Sequence, residues 1–231
     1  MEFAVGHVRM YDLPVLKWWK FLIAILLLPV CAAAAMALGA VLRACGAADT
    51  TWIPFLGGAA CWCVIFFLLP KPMLIYVFGH ELTHALWAWL FGGRLKKMKV
   101  SSKGGHVVIT KTNFLITLAP YFFPLYAVIV IAVFAAGHWI WGWEKLFVFF
   151  NLLLGAAYAF HVTLTIHALQ TQQSDITSQG YLFSGVVIFL GNAVILLFGI
   201  PLLTQKITLG QALHFWVMDF STVLHWLQKL V

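Results

Sequence analysis

The residues best able to do chemistry lie together at Gly79-His80-Glu81-Leu82-Thr83-His84-Ala85. The pattern is HExxH. On a helix, His80 and His84 stand about 40° apart around the axis, one turn above the other. Two imidazoles placed this way can share one zinc ion, and Glu81 beside them can take a proton from a zinc-bound water. A random ordering of this composition gives the pattern far less than once per chain. Glu81 is also the one acidic residue well inside any apolar run. Without a cation or a proton, a carboxylate in that position is a large uncompensated cost. The bland alternative is a protonated glutamate between two hydrogen-bonded histidines.

The elements that must position these groups are apolar. The chain has 231 residues, 63% hydrophobic and 9% charged, against about a quarter charged in a soluble domain. Its mean hydropathy is +0.97. So little polar surface excludes a soluble enzyme, a disordered chain and a collagen, and leaves an integral, multi-pass membrane protein. In a bacterium that means the inner or plasma membrane. A spanning helix needs about 20 apolar residues. Six runs come close: 21–42, 52–69, 73–91, 114–136, 146–169 and 181–203. The fold expected is therefore an all-α transmembrane bundle of about six spans, a single domain over residues 1–231. Tryptophans sit at run ends as an interfacial belt would require: Trp18, Trp19, Trp52, Trp139, Trp141 and Trp143. The first run is too long for the apolar region of a signal peptide and is taken as a span. Pro120 and Pro124 should kink the fourth. Asn151 and Asn192 are most simply helix-packing residues. Residues 206–231 mix apolar and charged residues and suggest an interfacial helix, or one packed on the bundle. Cys31, Cys45, Cys61 and Cys63 form no paired zinc signature and read as small packing residues.

The longest polar stretch, residues 94–113, carries Arg94, Lys96, Lys97, Lys99, Lys103 and Lys111. Two β-prone segments flank Gly104-Gly105, which suggests a hairpin turning at the glycines. Its free edge could hold an extended peptide as an added strand. With 14 basic residues against 7 acidic ones, the excess fits loops facing anionic lipid rather than nucleic-acid binding. The two sides of a six-span chain collect equal basic charge, so orientation rests on the densest cluster, which favours a cytoplasmic hairpin.

An HExxH in a transmembrane helix, followed by Gly92-Gly93 and a basic loop, resembles the site-2 protease family of intramembrane zinc metallopeptidases. The resemblance covers about residues 73–195. It implies one zinc per chain, a membrane protein or peptide as substrate, and hydrolysis of a peptide bond in or near a membrane segment. It implies a β-hairpin that holds substrate near the site. It also implies an aspartate from a later span as third ligand, commonly in an Asp-Gly context after Asn and Pro. This chain has no such Asp-Gly. It has Asp175, in Gln172-Gln173-Ser174-Asp175-Ile176, at the joint between the fifth and sixth runs.

The metal set expected is His80, His84 and Asp175, with Glu81 as the catalytic base. Depth counts against Asp175: His84 lies about 12 Å from the end of its helix, so Asp175 must dip inward. His161 and His167 are the alternatives, since a three-histidine site is chemically acceptable. Rival functions are a metal or proton transporter and a degenerate protease that binds helices without cutting them.

Overall fold

A computed structural model describes residues 14–229. In chain order the elements are α1 (Pro14–Cys45), α2 (Asp49–Leu68), α3 (Met73–Leu90), β1 (Leu95–Ser101), β2 (Gly104–Ile109), α4 (Phe114–Leu118), α5 (Leu125–Trp141), α6 (Phe147–Leu169), α7 (Ser174–Gln179), α8 (Tyr181–Thr204) and α9 (Leu209–Gln228). They form two compact units, residues 50–178 and residues 14–49 with 179–229. The fold is an all-α membrane helix bundle with one small hairpin.

Among the described residues, four helical segments are long and apolar enough to cross a bilayer: Trp18–Cys45, Asp49–Leu68, Trp143–Leu169 and Tyr181–Thr204. The pair Phe114–Tyr121 and Leu125–Trp141, bent by 80°, makes a fifth. The third of the six runs forms a helix too, α3, but it falls outside this set. His80, Glu81, Thr83 and His84 make it too polar to pass as a lipid-facing span. Trp18, Trp19, Trp139 and Trp141 are all exposed near helix ends, where an indole can sit at the headgroups.

In the unit of residues 50–178, α2 and α6 cross at glycines. A Cβ on Gly58 would fall 1.8 Å from the carbonyl oxygen of Leu152, and one on Gly155 would fall 1.9 Å from that of Phe55. Only glycine lets two backbones approach so closely. Alongside the crossing, the Trp62 indole donates to the Thr163 hydroxyl at 2.8 Å. α3 starts behind Pro72 and stops at Gly92, whose φ is 72°; the Gly93 N–H returns to the Ala88 carbonyl at 2.7 Å. The kink expected at Pro120 and Pro124 is the 80° bend between α4 and α5. α4 is opened by Asn113, whose side chain accepts from the Ile116 N–H at 2.9 Å.

The hairpin pairs β1 with β2 antiparallel, Lys99 opposite His106 and Ser101 opposite Gly104. Its two-residue turn is therefore Ser102-Lys103. The turn expected at Gly104-Gly105 is displaced, because those glycines already belong to β2. Gly105 serves a tertiary purpose: a Cβ there would lie 2.8 Å from Val77 Cγ1 and 2.9 Å from Glu81 Cγ. Val100 on the same face packs against the buried cluster of Tyr76, Val77, Leu164 and Ala168. Lys97 and Lys99 are exposed. The strand period of two thus sorts an apolar face onto α3 and a basic face away from it.

In the other unit, α1 lies along α8 and α9 and buries Ala24, Ala33, Ala34, Ala37 and Val41. The C-terminal segment is a packed helix, α9, entered through a reciprocal capping box between Thr208 and Gln211. The four cysteines are free thiols.

Candidate metal centre

The two histidines of HExxH face inward from α3, as their spacing of four requires. His84 is buried, and its Nδ1 lies 2.8 Å from the Ile116 carbonyl oxygen. A carbonyl only accepts, so Nδ1 carries the proton and the Nε2 lone pair is free. The reason that carbonyl is available can be read from the sequence. In a continuing helix Ile116 would bond to the N–H of residue 120, but residue 120 is proline. The bend that breaks the span thus hands one backbone acceptor to His84.

Asp175 reaches the same place from α7. Its Oδ2 stands 3.4 Å from His80 Nε2 and 3.4 Å from His84 Nε2. One ligand atom from each of the three residues falls within a set spanning at most 4.8 Å. The inward dip is made by Gln173, itself buried. Its amide donates to the Ala168 carbonyl at 2.8 Å and to the Thr171 hydroxyl at 2.9 Å. The chain is thereby turned back under the end of α6 without orphaning its polar groups. Burial alone would raise the Asp175 carboxyl, but His84 and His80 in their charged, imidazolium forms outweigh it and hold the group well below the usual carboxylate range.

These residues fit a zinc ion. A separation of 3.4 Å is long for an N–H···O bond. It matches the spacing of about 3.3–3.5 Å between neighbouring donors on a tetrahedral zinc. Among the described residues, the buried His84 Nε2 and Glu81 Oε2 have no hydrogen-bond partner. Such orphans are costly in a protein interior and cluster where a further group belongs. The donor set of two imidazoles and a carboxylate is a common catalytic-zinc set, which leaves a fourth position for water.

Glu81 is 2% exposed and lies under Gly105 of β2. With His80, Gly105, Gln173 and others it lines a cavity of ≈ 20 Å³, room for about one water. A second cavity of ≈ 20 Å³ lies against His80 and is lined by Gly79, Thr83, Tyr126 and His161 among others. His161 is buried there, outside the three-residue group. His167 is also outside it, its ring steeply inclined at 78° to that of Phe66.

Tyr121, which the sequence reading passed over, touches the centre directly. Its hydroxyl donates to Asp175 Oδ2 at 3.1 Å, and its ring meets His80 edge to face at 5.3 Å. The signal for Tyr121 was a phenol inside the apolar Ala119-Pro120-Tyr121-Phe122-Phe123-Pro124, which needs a partner when buried. Gln173 stood among three glutamines of one polar joint, with nothing local to single it out.

Residues 56–162 match the family model described as Peptidase M50B-like. The matched region, just under half of the chain, is similar to that family. This supports membership in the site-2 protease family of membrane metallopeptidases. No curated protein and no solved structure matches the chain. The M50B-like region takes in α3, the hairpin, the bent pair and most of α6, and so contains His80, Glu81, His84, Tyr121 and His161. It ends before Asp175, whose place at the centre rests on the geometry above.

Proposed function

We propose that the chain is an intramembrane zinc metalloendopeptidase that hydrolyses a peptide bond within or near a transmembrane segment of a membrane protein. The observation that carries this reading is the meeting of His80, His84 and Asp175 around one centre, with the carboxylate of Glu81 beside it. His80, His84 and Asp175 would hold one zinc ion. When bound, zinc supplies a Lewis acid that brings the pKa of water towards neutrality and polarises the scissile carbonyl.

Glu81 accepts the proton of the attacking water and delivers it to the leaving amine. Its cavity is sized for that water. The His84 ring is held by the Ile116 carbonyl, so its lone pair keeps one direction through the reaction. The substrate helix must unwind locally, since its own hydrogen bonds shield each peptide bond. The two-stranded hairpin leaves backbone groups free at its edges, and an extended segment can pair there. The close seat of Gly105 over Glu81 brings that sheet to the reacting groups.

The test is Glu81→Gln in the purified full chain. The variant is expected to keep about one zinc per chain and to lose cleavage of a transmembrane reporter by about 10²–10⁴-fold, the usual worth of a general base. Cleavage at the wild-type rate would remove the proposed role. Absence of bound metal from the wild-type protein, after purification with zinc present, would favour the transporter reading.

A further inference from the structure

We infer that Tyr121 is a positioning residue for the third metal ligand, fixing the Asp175 carboxylate so that its Oδ2 faces both histidines. The inference rests on the zinc-peptidase reading and extends it from the coordinating groups to the residues that aim them.

Asp175 is the least constrained of the three ligands by its own element. His80 and His84 ride on an 18-residue helix, whereas α7 has only 6 residues and follows a polar joint. A carboxylate there needs an outside partner to hold its rotamer. Tyr121 is that partner. It is 1% exposed, so its hydroxyl has little recourse to bulk water. The hydroxyl has one proton and two acceptors in reach: Asp175 Oδ2 at 3.1 Å and Gln173 Oε1 at 3.5 Å. The nearer, charged acceptor takes it. The oxygen that receives this bond is the one 3.4 Å from both imidazoles. The ring is fixed in turn, edge to face against His80 and anchored between α4 and α5.

Pro120 and Tyr121 therefore act as a pair from one break in one span. The proline leaves the Ile116 carbonyl for His84, and the tyrosine gives its hydroxyl to Asp175. Partners of this kind, which orient ligands without touching the metal, are worth about 10–100-fold in metal affinity.

The experiment is a thermodynamic cycle on the full chain in detergent. Zinc affinity is measured by competition with a chromophoric chelator for wild type, Tyr121→Phe, Asp175→Ala and the double variant. Tyr121→Phe removes one oxygen and leaves the ring packed, and melting curves check that all four proteins fold. Tyr121→Phe is expected to weaken zinc by about 10–100-fold. In the Asp175→Ala background the same change should matter by less than about 2-fold, because a residue acting only through Asp175 has nothing left to act on. Equal losses in both backgrounds would show that Tyr121 works through general packing and would overturn the inference. So would wild-type affinity in Tyr121→Phe while Asp175→Ala loses zinc. Wild-type affinity in Asp175→Ala is a different failure, since it removes Asp175 from the metal set. The cobalt-loaded protein gives an independent reading: its visible bands should change in Tyr121→Phe if the carboxylate turns, and unchanged bands would refute the role.

Discussion

Replacing Gly105 by alanine tests whether the seat of the hairpin on α3 governs Glu81. The added Cβ would lie 2.8 Å from Val77 Cγ1, 2.9 Å from Glu81 Cγ and 2.9 Å from the Lys99 carbonyl oxygen. Ordinary carbon contacts are about 3.5–4.0 Å, so something must retreat by about 0.7–1 Å. Lys99 is backbone of the paired strand. Val77 is held among Tyr76, Leu164 and Ala168. The displacement therefore falls on Glu81, or on β2 as it lifts away from Glu81. Overpacking of this sort costs about 1–3 kcal/mol, and a shift near 1 Å in a reacting group costs on the order of 10²-fold in rate. None of the three nearest atoms belongs to His80, His84 or Asp175, so bound zinc should stay at about one per chain. The assay is cleavage of a transmembrane reporter that wild type cuts and Glu81→Gln does not, with metal content and melting temperature measured on the same preparations. Gly105→Ala should be about 10–100-fold slower, and adding Val77→Ala should recover part of the loss by making room. A Gly105→Ala protein that cuts at the wild-type rate would refute the reasoning.

Two further substitutions probe the elements around the centre. Gly155→Ala forces α2 from α6, since its Cβ would meet backbone atoms of Phe55; a loss of about 1–3 kcal/mol should lower the melting midpoint in detergent by several degrees. Adding Gly58→Ala at the same crossing should cost less than it does alone, and an unchanged midpoint in Gly155→Ala would show that the crossing is loose. Pro120→Ala restores an N–H that competes with His84 for the Ile116 carbonyl. Zinc affinity should fall by about 10-fold with the melting midpoint unchanged or raised, whereas unaltered affinity would separate the bend from the metal site.

What could be read from the sequence, and what could not, follows from the range of each cause. His80, Glu81 and His84 are set by the pitch of one helix, so their shared face was legible from spacing alone. The hairpin was legible from β-prone runs on either side of glycine. Its register was not, because Gly104-Gly105 is a turn signal by local rules and Gly105 answers to α3, a contact no local rule contains. The spans were legible as apolar runs, yet α3 drops out of the lipid-facing set because the residues that give it chemistry also make it polar. Asp175 was legible as a polar residue at a joint on the right side. Its depth depended on Gln173 turning under α6, which sequence cannot distinguish from Gln170 or Gln172 staying in solvent.

The break at Pro120 shows why the missing pieces are also the informative ones. A bilayer core tolerates broken backbone only where the freed groups find partners. Here the break lies against the chemistry of α3, and both of its consequences face the proposed metal ligands: the carbonyl that Pro120 leaves unbonded and the hydroxyl that Tyr121 brings inward. A kink placed for shape alone would have its carbonyl satisfied by a nearby serine, threonine or water, and would put no constraint on His84. Metal affinity in the wild-type and Asp175→Ala backgrounds separates the two cases. If Pro120→Ala and Tyr121→Phe loosen zinc through different ligands, Asp175→Ala should erase the effect of Tyr121→Phe and leave that of Pro120→Ala. Loss of both effects in Asp175→Ala would mean that the bend moves as one body and that neither residue has a ligand of its own.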